Sequence, residues 1–100
     1  MLKGRLEKRI QTRHPTPPKA GVNIRGEKYD LVKSVILKVL RRQQPVTFSE
    51  MVRETERMLY GRFDGSVAWY VVTVKLDLEA RGLLQRVPNT HPETYRLSKR

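Results

Sequence analysis

Between residues 26 and 42 the apolar positions Tyr29, Val32, Val35, Ile36, Val39 and Leu40 recur at intervals of three and four, with Lys28, Asp30, Lys33, Lys38 and Arg41 falling mostly between them. This is the pattern of a helix with one dry face, and it predicts a helix over about 27–42. Arg41 and Arg42 suit its electronegative end, and Pro45 stops its continuation. Val46-Thr47-Phe48 is short and β-prone. Thr47-Phe48-Ser49-Glu50 has the spacing of a capping box, in which hydroxyl and carboxylate each satisfy a backbone N–H at a helix start. Phe48, Met51, Val52, Thr55 and Leu59 then mark the buried face of a second helix that ends near Tyr60-Gly61.

A third helix is expected over about 66–81, opened by Asp64 or Ser66 as N-cap and closed by Gly82. At 100° per residue its positions sort into strips. Val67, Val71, Val74 and Leu78 share one direction and should face the core. Ser66, Tyr70, Thr73 and Asp77 form a mostly polar strip beside it. Trp69, Val72, Leu76 and Ala80 form a second apolar strip nearly opposite the first, for which a helix that only met DNA would have little use. Two β-prone runs follow, Leu83–Val87 and Thr94–Leu97, separated by the turn-rich Pro88–Glu93, which suits a wide hairpin. The order is helix, short strand, helix, helix, hairpin. It predicts an α+β, mainly α fold: a winged helix-turn-helix of three helices with a C-terminal β-hairpin wing.

Ahead of this pattern, Leu2, Leu6 and Ile10 recur every four residues, as on a short basic helix. Pro15, Pro17 and Pro18 forbid helix beyond it, so 14–21 reads as an extended linker and Val22-Asn23-Ile24 as a short packed segment. The expected division is a basic arm and Pro-rich linker over 1–21, a domain over 22–97 and a basic tail over 98–100. Residues 1–13 should then be removable without unfolding the domain.

Several stretches carry a further resemblance. Gly21-Val22-Asn23-Ile24, Lys28-Tyr29-Asp30, Thr47-Phe48 and Gly65-Ser66-Val67-Ala68-Trp69-Tyr70 lead into Val74-Lys75-Leu76-Asp77-Leu78-Glu79-Ala80-Arg81-Gly82. Together they resemble a family of small, functionally uncharacterised prokaryotic proteins with a winged-helix fold, over about residues 14–97. The chain departs from that family in its longer, more basic N-terminus and at Arg25-Gly26, where a capping residue is expected. The resemblance implies a fold and hardly an activity, because one fold hosts many functions.

Charge narrows the function. Lys and Arg number 21 against 10 Asp and Glu in 100 residues, a net charge of +11, and residues 1–25 hold seven basic side chains against Glu7 alone. An anionic partner is the first expectation, and duplex DNA the foremost, bound by a transcriptional regulator or chromosome-associated protein in the cytoplasm, at the nucleoid. In helix-turn-helix proteins the third helix enters the major groove. Ser66, Tyr70, Thr73 and Lys75 are therefore candidate contacts there, although this strip lacks the Arg, Asn and Gln side chains that make bidentate base contacts. Arg86 and Arg96 flank the wing and Arg5, Lys8, Arg9 and Arg13 lie in the arm, all as candidate phosphate contacts. The alternative is an interaction module that binds protein through Trp69, Val72 and Leu76. That strip is expected to be covered by the N-terminal segment, or by a second subunit in a homodimer; a solvated Trp69 would instead suit base stacking.

Other classes find no sequence support. No Gly-rich phosphate loop, nucleophile motif or acid pair is visible, so no enzyme is expected. His14 and His91 each stand alone beside a proline, there is no cysteine, and neither metal nor cofactor is expected. No apolar run is long enough to span a membrane, and the N-terminus lacks the apolar middle of a signal peptide.

Overall fold

The computed structural model describes residues 8–98. Leu2, Leu6 and Arg5, as well as Lys99 and Arg100 of the basic tail, lie outside the described residues. The first departure from expectation comes at once. Ile10 belongs to a strand, β1 (Arg9–Gln11), which pairs antiparallel with β2 (Asn23–Arg25) in the register Arg9 to Arg25, Ile10 to Ile24 and Gln11 to Asn23. Thr12 extends the ribbon, its backbone N–H donating to the Val22 carbonyl at 2.8 Å while its hydroxyl donates to the same carbonyl at 2.9 Å and accepts from the Val22 N–H at 2.8 Å. Residues 9–13 are thus built into the domain, and the boundary expected at 21/22 does not separate an arm from it.

Gly21 makes this crossing possible. A Cβ there would lie 2.2 Å from Thr12 Oγ1 and 2.3 Å from the Thr12 carbonyl oxygen. Gly21→Ala should cost on the order of 1–3 kcal/mol through this overlap, read as a lower midpoint in thermal denaturation. An unchanged midpoint would contradict the close crossing.

α1 (Gly26–Arg42) buries Tyr29, Val32, Val35, Ile36, Val39 and Leu40, the periodic positions of the sequence. Its N-cap, Arg25, supplies no side-chain capping hydrogen bond. The ribbon replaces the cap, since the Gly26 N–H donates to the Lys8 carbonyl at 2.7 Å. β3 (Val46–Thr47) leads into α2 (Phe48–Leu59), whose capping box is formed: the Glu50 N–H donates to Thr47 Oγ1 at 3.0 Å and the Thr47 N–H to Glu50 Oε1 at 2.8 Å. α3 (Val67–Ala80) starts on Ser66, whose hydroxyl accepts from the Trp69 N–H at 3.1 Å. It ends with Gly82 at φ +79°, the Leu83 N–H donating to the Leu78 carbonyl and the Gly82 N–H to that of Glu79, a Schellman closure.

β4 (Leu84–Val87) and β5 (Thr94–Leu97) form the hairpin, and β3 pairs with β5, so the second antiparallel sheet has the order β3-β5-β4. The fold is α+β, with three helices and two small antiparallel sheets. Val32, Ile36, Leu40, Val46, Met51, Leu59, Val71, Val74 and Leu78 are fully or almost fully buried between the helices and the three-stranded sheet. Among the described residues no helix is long and apolar enough to cross a membrane.

Candidate nucleic-acid interface

α3 is apolar almost all round, and its strips meet different neighbours. Val71, Val74 and Leu78 face the core as expected. The polar strip does not face outward at Thr73 and Asp77. Asp77 is completely buried; its carboxylate accepts from the Tyr29 hydroxyl, from the Arg13 backbone N–H at 2.8 Å and from Arg81 Nε at 2.7 Å. Burial and the Asp77 carboxylate push the Tyr29 hydroxyl well above its usual titration range. Thr73 is also buried, beneath the N-terminal ribbon. The expected groove contact through Thr73 is therefore corrected, because α1 and the ribbon close over this side of the helix. Ser66 remains exposed, with its hydroxyl engaged as the N-cap.

Lys75 is a second correction. Only 5% of it is exposed, its ammonium donates to Glu79 Oε2 at 2.6 Å, and it stands 4.5 Å from the centre of the Tyr95 ring. Glu79 also accepts from Arg86 Nε at 2.9 Å, and Arg86 reaches Glu93 at 3.1 Å. These two cations and two carboxylates fasten the hairpin to α3 and cancel one another's charge. Arg86 is thus held away from the phosphate role expected of it, whereas Arg96 donates to Gln85 Oε1 at 3.1 Å and pairs with no carboxylate among the described residues.

The same network gives a pH prediction. Burial and the hydrogen bond that Tyr95 donates to Glu93 push its hydroxyl up to about 12. The folded pKa exceeds the unfolded one of about 10, so this contribution is whole below about pH 10 and is lost as the pH rises toward 12. Alkaline melting curves should show a decline over that interval that Tyr95→Phe makes shallower. Equal slopes for both proteins would contradict the coupling.

The N-terminal candidates fare better. Lys8, Arg9 and Arg13 are exposed on the ribbon, where the fixed points are the Lys8 carbonyl and the Arg13 N–H rather than those two side chains. Arg9 is oriented by Asn23, donating to its side-chain and backbone oxygens. Arg9 also lies directly opposite Arg25, which pairs with Glu27 at 3.7 Å.

Around the start of α3, Tyr70 is half-buried in an aromatic chain. Phe63 meets it edge-to-face at 5.1 Å and Trp69 at 4.9 Å, and Lys28 Nζ lies 5.1 Å and 5.2 Å from the Phe63 and Tyr70 ring centres. Trp69 is 45% exposed and Val72 37%, with Leu76 half-buried. The ribbon reaches this strip, as the sequence suggested, and bounds a pocket of about 130 Å³ between Thr12, Arg13, His14, Val22, Trp69 and Leu76. It does not cover Trp69, so the expected substantial burial is not met within the chain.

Sequence reasoning placed Tyr29 only on the apolar face of the first helix and gave Thr12 and Glu79 no role. The available signal was chemical: acids placed on an almost wholly apolar helix need buried partners. Among the described residues no group of three or more Asp, Glu or His side chains is placed to hold a metal ion. No similar chain is found among proteins of curated function or among solved structures. Residues 9–95, from the first residue of β1 into β5, match a family of unknown function (DUF6958), and the chain belongs to that family.

Proposed function

We propose that this protein binds nucleic acid, duplex DNA foremost, through phosphate contacts made by its basic ribbon, in the manner of a winged-helix regulator or chromosome-associated protein. One observation carries this reading. Residues 8–25 hold Lys8, Arg9, Arg13, Lys19 and Arg25 with no acidic residue; the β1–β2 pairing fixes Arg9 and Arg25, and backbone hydrogen bonds fix Lys8 and Arg13 beside it. Basic ribbons enter DNA grooves in other architectures. Under this proposal the chain is a winged helix-turn-helix, supported by the element order and the pairing of β3 with the hairpin, with β4–β5 as wing and Arg96 as a cation that no carboxylate among the described residues claims. In this reading α3 supports the binding elements and does not read bases through Thr73 or Lys75.

The double variant Lys8→Gln, Arg13→Gln tests the reading while leaving the backbone contacts of both residues in place. It should weaken duplex binding and reduce the slope of log K against log salt by about two, at roughly 0.9 per phosphate contact. Unchanged affinity and slope would remove the ribbon from the interface. A second reading, a protein-interaction module that also accommodates a homodimer, is favoured by the apolar outward strip of Trp69, Val72 and Leu76.

A further inference from the structure

We propose that Trp69 and the pocket beside it form a binding site for one unpaired nucleobase, stacked on the indole. This rests on the nucleic-acid reading and adds to it a site that only a single-stranded or locally opened base can enter. Four observations converge on the site.

The indole is open and held in place. Trp69 is the only tryptophan of the chain and 45% exposed. Its backbone N–H is bonded to Ser66 Oγ in the helix cap, and the indole itself is held by Tyr70, edge-to-face at an interplanar angle of 81°. No aromatic ring among the described residues lies parallel to it, and nearly half of the residue is open to solvent. Tyr70 is braced by Phe63, and Lys28, which donates to the Asp64 carbonyl, sits against both rings. A ring presented in this way gives a planar base a platform at small entropic cost.

The pocket's walls supply polar groups of the right kind. Arg13 and His14 line it beside the Trp69 and Leu76 side chains. His14 Nδ1 accepts from the Thr16 N–H, so in neutral imidazole the proton resides on Nε2, a donor for base oxygens and ring nitrogens. Arg13 adds a cation able to meet either a base edge or the adjoining phosphate.

No carboxylate opposes a polyanion there, because none lines the pocket. The nearby acids of α3 are neutralised, Asp77 by Arg81 and Glu79 by Lys75 and Arg86. The backbone of a bound strand would continue along the Lys8–Arg25 ribbon that forms the pocket's other wall, which carries the charge a polynucleotide needs.

Trp69 reports on its own site, and the full chain serves as the sample. Its emission is followed while a short oligothymidylate, or a mixed-sequence duplex of equal length carrying an anisotropy label, is titrated in. The expected result is strong quenching by the single strand and little by the duplex. Trp69→Ala should weaken single-strand binding on the order of ten-fold with duplex affinity retained, and Trp69→Phe should restore most of the loss. If both ligands bind by anisotropy but emission is unmoved and Trp69→Ala binds normally, the base site is overturned and the phosphate-binding reading stands. If neither ligand binds at low salt, both fall. A blue shift of Trp69 on raising protein concentration alone, with a doubling of mass, would show that a second copy covers the strip and would overturn the base site in favour of a protein interface.

Discussion

Replacing Asp77 with alanine should remove about 3–5 kcal/mol of stability, the usual consequence of taking one partner from a buried ion pair. The carboxylate is wholly inaccessible and joins three parts of the molecule: α1 through Tyr29, α3's own exit through Arg81, and the ribbon through the Arg13 N–H. Its loss leaves the Tyr29 hydroxyl and the Arg13 N–H without an acceptor and Arg81 without its counter-charge. Tyr29→Phe removes a single donor and should cost about 0.5–3 kcal/mol, since the hydrogen bond is to a charged group. Denaturant titrations of both variants test the order. A Tyr29→Phe protein less stable than Asp77→Ala would contradict the placement of the carboxylate at the centre of this network.

Deleting residues 1–13 should unfold the domain or lower its stability by about 3 kcal/mol or more. Two buried groups lose partners at once: the Gly26 N–H loses the Lys8 carbonyl and Asp77 loses the Arg13 N–H. Each such loss costs roughly 1–3 kcal/mol, and β2 also loses its partner strand, exposing Ile24. For a small domain stable by about 5–15 kcal/mol this is a large fraction. A truncated chain that melts where the intact one does would restore the picture of residues 1–13 as a detachable arm.

That contrast locates what the sequence could and could not disclose. The helices were legible because their signals are local. Periodic apolar positions marked α1 and are the ones it buries; the Thr47–Glu50 spacing marked the start of α2, and Asp64 or Ser66 and Gly82 marked the two ends of α3, where hydrogen bonds form at Thr47–Glu50, Ser66 and Gly82. β1 was not legible. Three residues are too few to display alternation, and the partner strand lies beyond a proline-rich loop; the four-residue spacing of Leu2, Leu6 and Ile10 suggested a helix instead. The clue was the uncapped Arg25-Gly26, which a backbone carbonyl from Lys8 satisfies.

For the candidate site, a helical projection gives the direction of each strip but not what stands over it. Asp77 and Thr73 looked like wet positions beside the core, yet the ribbon and Tyr29 enclose them. Lys75 and Arg86 looked like phosphate ligands, yet Glu79 and Glu93 claim them. What survives of the basic pattern is Arg96 on the hairpin and the portion with no acid in its own sequence, the segment from Lys8 to Arg25.

The central claim is that this segment binds nucleic acid by neutralising phosphates, and salt dependence measures it most directly. With the full chain and a labelled duplex, anisotropy titrations over a series of salt concentrations should give a straight line of log K against log salt. Five phosphates met by the cations of this segment and one by Arg96 predict a slope near −5, at roughly −0.9 per phosphate. Binding that is absent at low salt, or an affinity that salt leaves unchanged, would contradict the account.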